Sequence, residues 1–137
     1  MLIVDAGPLV AAAWTGDRDH RRCVDLLSGA PWPLLVPALV AAEAAYLIGD
    51  RLGPAAELAF GQSFANGELV LEPLEPTDLD RVVELMARYV DLPLGMADAS
   101  VVAAAERLGA TTVATLDRRH FSAVRPRHVE SLALVPA

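Results

Sequence analysis

The sequence predicts an α/β fold built on a parallel sheet, and three observations carry that prediction. Short runs of aliphatic and β-branched residues recur along the chain. Segments of helical character separate them, each bounded by Pro, Gly or a capping residue. The 137 residues, 54% of them hydrophobic, can also bury a sizeable core. Strands alternating with helices pair in parallel through right-handed crossovers, giving a three-layer sandwich with helices on both faces of the sheet. One domain spanning residues 1–137 is expected, since single domains commonly run about 100–150 residues. No internal repeat or low-complexity linker divides the chain.

The elements follow in order. Leu2-Ile3-Val4 is a buried-strand pattern that ends at Asp5. Gly7-Pro8 opens a helix, with Pro suited to the first turn. Asp17 is placed to cap a second helix to about Leu27, and Ser28-Gly29 stops it. Leu34-Leu35-Val36 is the second strand. Pro37 starts a long helix to about Arg51, ended by Gly53-Pro54. Ala55 to Ala65 forms the next helix, before Asn66-Gly67, and Leu69-Val70-Leu71 is the third strand. Thr77 with Asp80 reads as a capping box with Asp in place of the usual Glu. The helix it opens places Leu79, Val82, Val83, Met86 and Tyr89 on one face. Ala97 to Leu108 is almost wholly apolar or small, which predicts a central helix stopped by Gly109. Thr112 to Thr115 is a fourth strand, and Leu132-Ala133-Leu134 a fifth.

Composition removes several functions. All 11 basic residues are arginine, against 18 acids, for a net charge of −7. Without lysine there is no P-loop and no Schiff-base chemistry. Receiver domains and haloacid-type phosphatases, which set a Lys beside their acids, are disfavoured too. The negative charge argues against generic nucleic-acid binding through a basic surface. It leaves room for a metal-dependent nuclease, because bound cations change the local sign. Cys23 stands alone, so no intrachain disulfide forms and a reduced, cytoplasmic setting is expected. The chain opens without a basic segment, so no secretory signal is expected. The longest apolar run, Leu34 to Ala42, is too short to span a bilayer.

In open parallel sheets ligands sit at the carboxyl ends of the strands. Four carboxylates fall there. Asp5 follows the first strand, and Asp117 follows the fourth. Asp98 opens the central helix, and Glu43 is the only charge in the apolar stretch Val36 to Ile48. Asp5, Asp98 and Asp117 also stand where helix N-caps would. A carboxylate such as Glu43, surrounded by apolar helix, requires an ion pair or a cation. Four acids converging on one cleft repel each other unless cations are present, and hard oxygen ligands suit Mg²⁺ or Mn²⁺. His20, His120 and His128 are scattered and show no zinc spacing. A carboxylate cluster holding such ions is a site for phosphodiester hydrolysis.

These blocks resemble the PIN-domain ribonucleases, and among them the VapC-type toxins of toxin–antitoxin pairs. The resemblance rests on Ile3-Val4-Asp5, on Val40-Ala41-Ala42-Glu43, on Leu94-Gly95-Met96-Ala97-Asp98-Ala99, and on Thr115-Leu116-Asp117-Arg118-Arg119-His120-Phe121. It implies a PIN-like α/β/α sandwich with a five-stranded parallel sheet. It also implies that Asp5, Glu43, Asp98 and Asp117 are the catalytic, metal-binding acids of an Mg²⁺-dependent endoribonuclease, with Mn²⁺ as a substitute. A homodimer and a cognate VapB-type antitoxin are implied as well. The antitoxin can place an Arg against the acids, which suits a chain of charge −7.

One feature departs from the family. Ser or Thr usually follows the first Asp, whereas Ala6-Gly7 follow here. Thr115 is the candidate to supply the hydroxyl from another strand. The departure motivates a second reading, a catalytically weak PIN-like module that binds protein or RNA without cutting it. RNA contact falls to arginine, with Arg118, Arg119, Arg125 and Arg127 close after Asp117. The expected substrate is a structured RNA, a tRNA or ribosomal RNA. Trp14 and Trp32 are assigned to core or antitoxin-interface packing rather than to base stacking.

Overall fold

The computed structural model describes residues Met1 to Ala137. The apolar runs form strands without polar alternation, as expected where helices cover both faces of a sheet. β1 (Leu2–Val4) and β2 (Leu34–Pro37) are buried at every residue. β3 (Val70–Glu72), β4 (Thr112–Ala114) and β5 (Ala133–Val135) complete one sheet of order β3-β2-β1-β4-β5. Every neighbouring pair is parallel. The α/β/α sandwich with a five-stranded parallel sheet is therefore the fold.

The chain steps outward from β1 through β2 to β3, then returns to the other side of β1 with β4 and β5. The order reverses between β1 and β4, and such a reversal opens a crevice at the carboxyl ends of the two strands.

The helices are α1 (Ala6–Ala13), α2 (His20–Gly29), α3 (Ala38–Leu52), α4 (Pro54–Ala65), α5 (Pro76–Arg88), α6 (Met96–Leu108) and α7 (Arg118–Ala123). α6 is the central helix that its composition predicts: Ala99 through Ala105 are all buried, and small side chains let it lie deep. Gly109 ends it at φ 70°, a left-handed conformation that costs little only for glycine. A core cluster of 26 buried residues joins sheet and helices. No helix is long and apolar enough to cross a membrane.

Several assignments differ from expectation, β3 and β5 each lying one residue later than predicted. The capping box of α5 is Glu75 with Asp78, not Thr77 with Asp80. Pro76, with its fixed φ, favours the first helical position and moves the start upstream. The buried row of α5 is Asp78, Val82, Leu85 and the partly buried Tyr89, whereas Leu79 and Val83 are 43% and 65% exposed. Spacings of four and three residues define two adjacent apolar rows, and only one meets α6. Asp17 caps the turn before α2 rather than the helix, accepting the Asp19 N–H at 2.8 Å. α7 is a helix that the basic segment around it does not announce.

An ion-pair network ties α5 to α6. The Arg81 guanidinium forks onto Glu106, with Nε and Nη2 donating at 2.8 and 2.9 Å. Arg107 donates to Asp78 at 3.1 Å and pairs with Glu72 of β3 at 2.9 Å. Arg127 donates through Nη2 to Glu84 at 2.7 Å and through its backbone N–H to Glu106 at 2.8 Å. Burial pushes the Glu106 carboxyl up, but Arg81 and Arg127 outweigh it and hold the group below its ordinary pKa. Replacing Arg81 by Ala leaves a nearly buried carboxylate short of its main partner. The expected loss is about 2–3 kcal/mol, less than for a fully dry pair. Urea unfolding measures it, and a loss under about 0.5 kcal/mol would mean the fork is effectively solvated.

Candidate metal centre

The crevice between β1 and β4 receives its first carboxylate from the strand geometry itself. Asp5 continues the β1–β4 ladder, its N–H donating to the Ala114 carbonyl at 2.8 Å. Its backbone is extended and it precedes α1, yet its side chain does not cap that helix. It turns to the neighbouring strand instead, and accepts a hydrogen bond from Thr115 Oγ1 at 2.8 Å. Asp5 is only 7% exposed and Thr115 is buried.

The Thr115 hydroxyl in turn accepts from the Asp117 N–H at 3.0 Å. One hydroxyl thus joins two of the predicted acids. It reaches Asp5 where Ala6 and Gly7 carry no hydroxyl. Gly7 itself sits against Leu116, whose side chain would lie 3.3 Å from a Cβ at position 7. α1 therefore packs closely on the segment carrying Thr115 and Asp117.

Asp117 is a true N-cap, its Oδ1 accepting the His120 N–H at 3.0 Å. Its Oδ2 lies 2.7 Å from His120 Nδ1. Asp98 is not a cap: Gly95 holds that position, and Asp98 sits in the first turn of α6. Its Oδ2 is 3.2 Å from His120 Nδ1. Asp98, Asp117 and His120 offer ligand atoms that all lie within 4.8 Å of one another.

Glu43 departs from the buried placement expected of it. The residue is exposed on α3, near enough to Asp5 and Asp98 for their charges to couple. Burial of part of the carboxyl and the nearby Asp98 still raise its pKa, and no cation opposes them. A structural ion pair is therefore not what holds it.

His120 is the residue the sequence argument missed. The signal was its position three residues after Asp117, one helical turn on, in a segment not read as helical. Of the four arginines assigned to RNA, two are engaged by the fold. Arg118 donates to the carbonyls of Leu134 and Pro136 at 3.1 and 2.7 Å, and Arg127 belongs to the α5–α6 network. Arg119 and Arg125 are exposed. Trp14 and Trp32 are exposed as well, so neither is a core residue.

Residues 2–125 match the PIN domain family. The chain is 34% identical over 125 residues to ribonuclease VapC26 of Mycobacterium tuberculosis, covering 91% of this chain and 93% of that protein. The chain belongs to the PIN-domain family, in its VapC-type branch. Solved structures share this PIN fold at low identity. VapC20 of M. tuberculosis, described as a sarcin–ricin loop cleaving toxin, superposes with a TM-score of 0.82 at 18% identity, over 95% of this chain and 99% of that one. FitAcB of Neisseria gonorrhoeae gives 0.72 at 15% identity, over 99% and 97%. VapBC2 of Rickettsia felis, bound to a DNA fragment from its promoter, gives 0.67 at 16% identity, over 97% and 96%.

The electrostatics of this PIN domain follow from crowding of like charge in a partly dry crevice. Burial pushes the Asp5 carboxyl up to about 6. Hydrogen bonds from Thr115 and the Ala6 amide work against that rise, while Asp98 and Glu43 add to it. Burial also raises Asp98; His120 opposes the rise and Asp117 adds to it.

Asp5 therefore holds its proton more tightly in the folded chain, at about 6, than in the unfolded chain, at about 3.9. In ion-free protein its contribution to stability is complete below about pH 4 and is lost as pH rises through about 6, a change of about 3 kcal/mol. Asp5→Asn removes that loss. The variant is expected to be about 2–3 kcal/mol more stable than the parent at pH 8 in chelator, and close to it at pH 4. Denaturant unfolding at the two pH values checks this, and a variant less stable at pH 8 would contradict it.

Proposed function

We propose that this chain is an Mg²⁺-dependent endoribonuclease, able to use Mn²⁺, that hydrolyses phosphodiester bonds in structured RNA such as a tRNA or ribosomal RNA. In this reading it acts as a single PIN domain of residues 1–137, in the cytoplasm and as a homodimer, and a cognate VapB-type antitoxin neutralises it. The observation that carries the reading is the gathering of Asp5, Asp98 and Asp117 at the carboxyl ends of β1 and β4, with Glu43 at the rim and no arginine paired to any of them. Membership of a ribonuclease family supports it.

The residues present suit a hard divalent ion. They offer carboxylate oxygens, the donors such ions prefer, and their mutual repulsion leaves a deficit of positive charge. Asp5, Glu43, Asp98 and Asp117 would hold the ion. A bound ion of this kind lowers the pKa of the attacking water and stabilises charge on the phosphate and leaving oxygen. Thr115 orients Asp5 through its hydroxyl and fixes the Asp117 backbone at the same time. Of the four arginines assigned to RNA, all exposed, Arg119 and Arg125 have side chains not engaged by the fold and are the ones most available to RNA phosphates. The hydrogen bond from Thr115 to Asp5 favours this reading over a weak PIN-like module, because a hydroxyl reaches Asp5 despite Ala6-Gly7.

Two surfaces suit an antitoxin segment. The acidic crevice accepts a guanidinium. An apolar groove of about 670 Å³ between α1, α2 and α4, lined in part by Leu9, Leu27, Trp32 and Phe60, accepts apolar side chains. VapBC2 of R. felis bears the name of such a pair.

Asp5→Asn and Asp98→Asn are each expected to lower Mg²⁺-dependent RNA cleavage by at least about 100-fold, and Thr115→Ala by about 10–100-fold. Arg119→Ala and Arg125→Ala should weaken RNA binding and flatten its salt dependence without abolishing cleavage. Cleavage of purified tRNA and ribosomal RNA, with end mapping and a chelator control, measures all of these. Full activity in both Asp variants would sink the assignment.

A further inference from the structure

His120 is placed by two features of α7. Its backbone N–H is held by Asp117 Oδ1 at 3.0 Å, and Phe121 beside it is buried in the core. The imidazole is thereby pressed between two carboxylates, with Nδ1 at 2.7 Å from Asp117 Oδ2 and 3.2 Å from Asp98 Oδ2. Nδ1 is shielded from solvent, yet its direction satisfies neither oxygen as a hydrogen bond. Burying an imidazole nitrogen without a directed partner is costly, and in the tautomer that leaves Nδ1 unprotonated its lone pair is free for a cation. The spacing is informative as well. Adjacent ligands of an octahedral ion with bonds near 2.1 Å sit about 3 Å apart, and the two nitrogen–oxygen distances bracket that value.

We propose that His120 Nδ1 is a nitrogen ligand of the divalent ion held by Asp98 and Asp117, and that it biases this position toward Mn²⁺ over Mg²⁺. The proposal rests on the metal-dependent reading above. The bias follows from ligand chemistry. Mg²⁺ takes oxygen donors and dehydrates reluctantly, whereas imidazole suits ions further along the first transition row. The competing role for the ring is that of a resident cation. An Nδ1–H between the carboxylates would neutralise them in the ion-free protein and would oppose metal binding.

The test uses the full chain, freed of metal with chelator and then titrated with Mn²⁺ alone. Pulsed electron paramagnetic resonance of the bound Mn²⁺ is expected to show modulation from a directly coordinated ¹⁴N. The modulation should change to the ¹⁵N pattern in protein grown with ¹⁵N-histidine, a readout that needs no variant. In His120→Gln it should vanish, with Mn²⁺ affinity by calorimetry falling about tenfold or more and Mg²⁺ affinity changing less. Bound Mn²⁺ without nitrogen modulation overturns the proposal and leaves the carboxylate site intact. Tighter Mn²⁺ binding by His120→Gln also overturns it, and identifies the ring as the resident cation. Absence of Mn²⁺ binding by the parent chain overturns the metal-dependent reading itself.

Discussion

A hydrogen bond from Thr115 Oγ1 to Asp5 Oδ2 joins the ends of the two central strands, and the site depends on it. The bond exists because β1 and β4, distant in sequence, are neighbours where the strand order reverses. The ladder carries the Asp5 backbone one residue beyond β1, onto the Ala114 carbonyl. Two side chains that leave adjacent parallel strands at matched positions can then meet. The same hydroxyl accepts the Asp117 N–H, so the turn into α7 is set by the partner of Asp5. The cap at Asp117 then fixes where His120 and Asp98 meet. One buried hydroxyl thus propagates geometry from β1 to three elements.

The charge distribution shows how the chain keeps that crevice acidic. Arginine is its only permanent cation, none pairs with a crevice acid, and several are committed elsewhere. Arg118 reaches back to the carbonyls around β5, while Arg81, Arg107 and Arg127 lock α5, α6 and the C-terminal segment together. Glu72, Asp78, Glu84 and Glu106 form with Arg81, Arg107 and Arg127 a paired cluster of four acids and three arginines. The crevice acids have no arginine partner, and burial first, with neighbouring carboxylates adding to it, raises three of them in pKa. The net charge of −7 therefore has an uneven distribution, with a local excess at one end of the sheet.

Much of this was legible in the sequence, for physical reasons. Short apolar runs between helical segments encode a sheet covered on both faces, and a parallel sheet fixes where its strand-end acids lie. Asp5, Asp98 and Asp117 could be placed on that basis. The rest depended on tertiary facts that local pattern does not carry. α5 presents two adjacent apolar rows, and only packing against α6 decides which one is buried. α7 spans six residues, too few for a periodicity signal, and its single buried anchor is Phe121. Without α7, His120 reads as one of three scattered histidines. Glu43 read as buried because its sequence neighbours are apolar. Those neighbours occupy other faces of α3, with Val40, Ala44 and Ile48 turned to the core.

The cost of burying Asp5 connects stability with occupancy. A carboxyl raised to about 6 is ionised at neutral pH, so the folded ion-free chain carries an unfavourable charge there. Whatever cation enters the crevice relieves this desolvation and repulsion, and its binding stabilises the fold by mass action. A divalent ion and the guanidinium of a bound peptide would draw on the same deficit and occupy the same small volume, so binding of one opposes the other. That coupling needs no conformational change, because both occupants compete for the same fixed charges. It also explains why so costly an arrangement can persist in a small domain. Energy given up by crowding these acids would return as affinity for a cation that neutralised them.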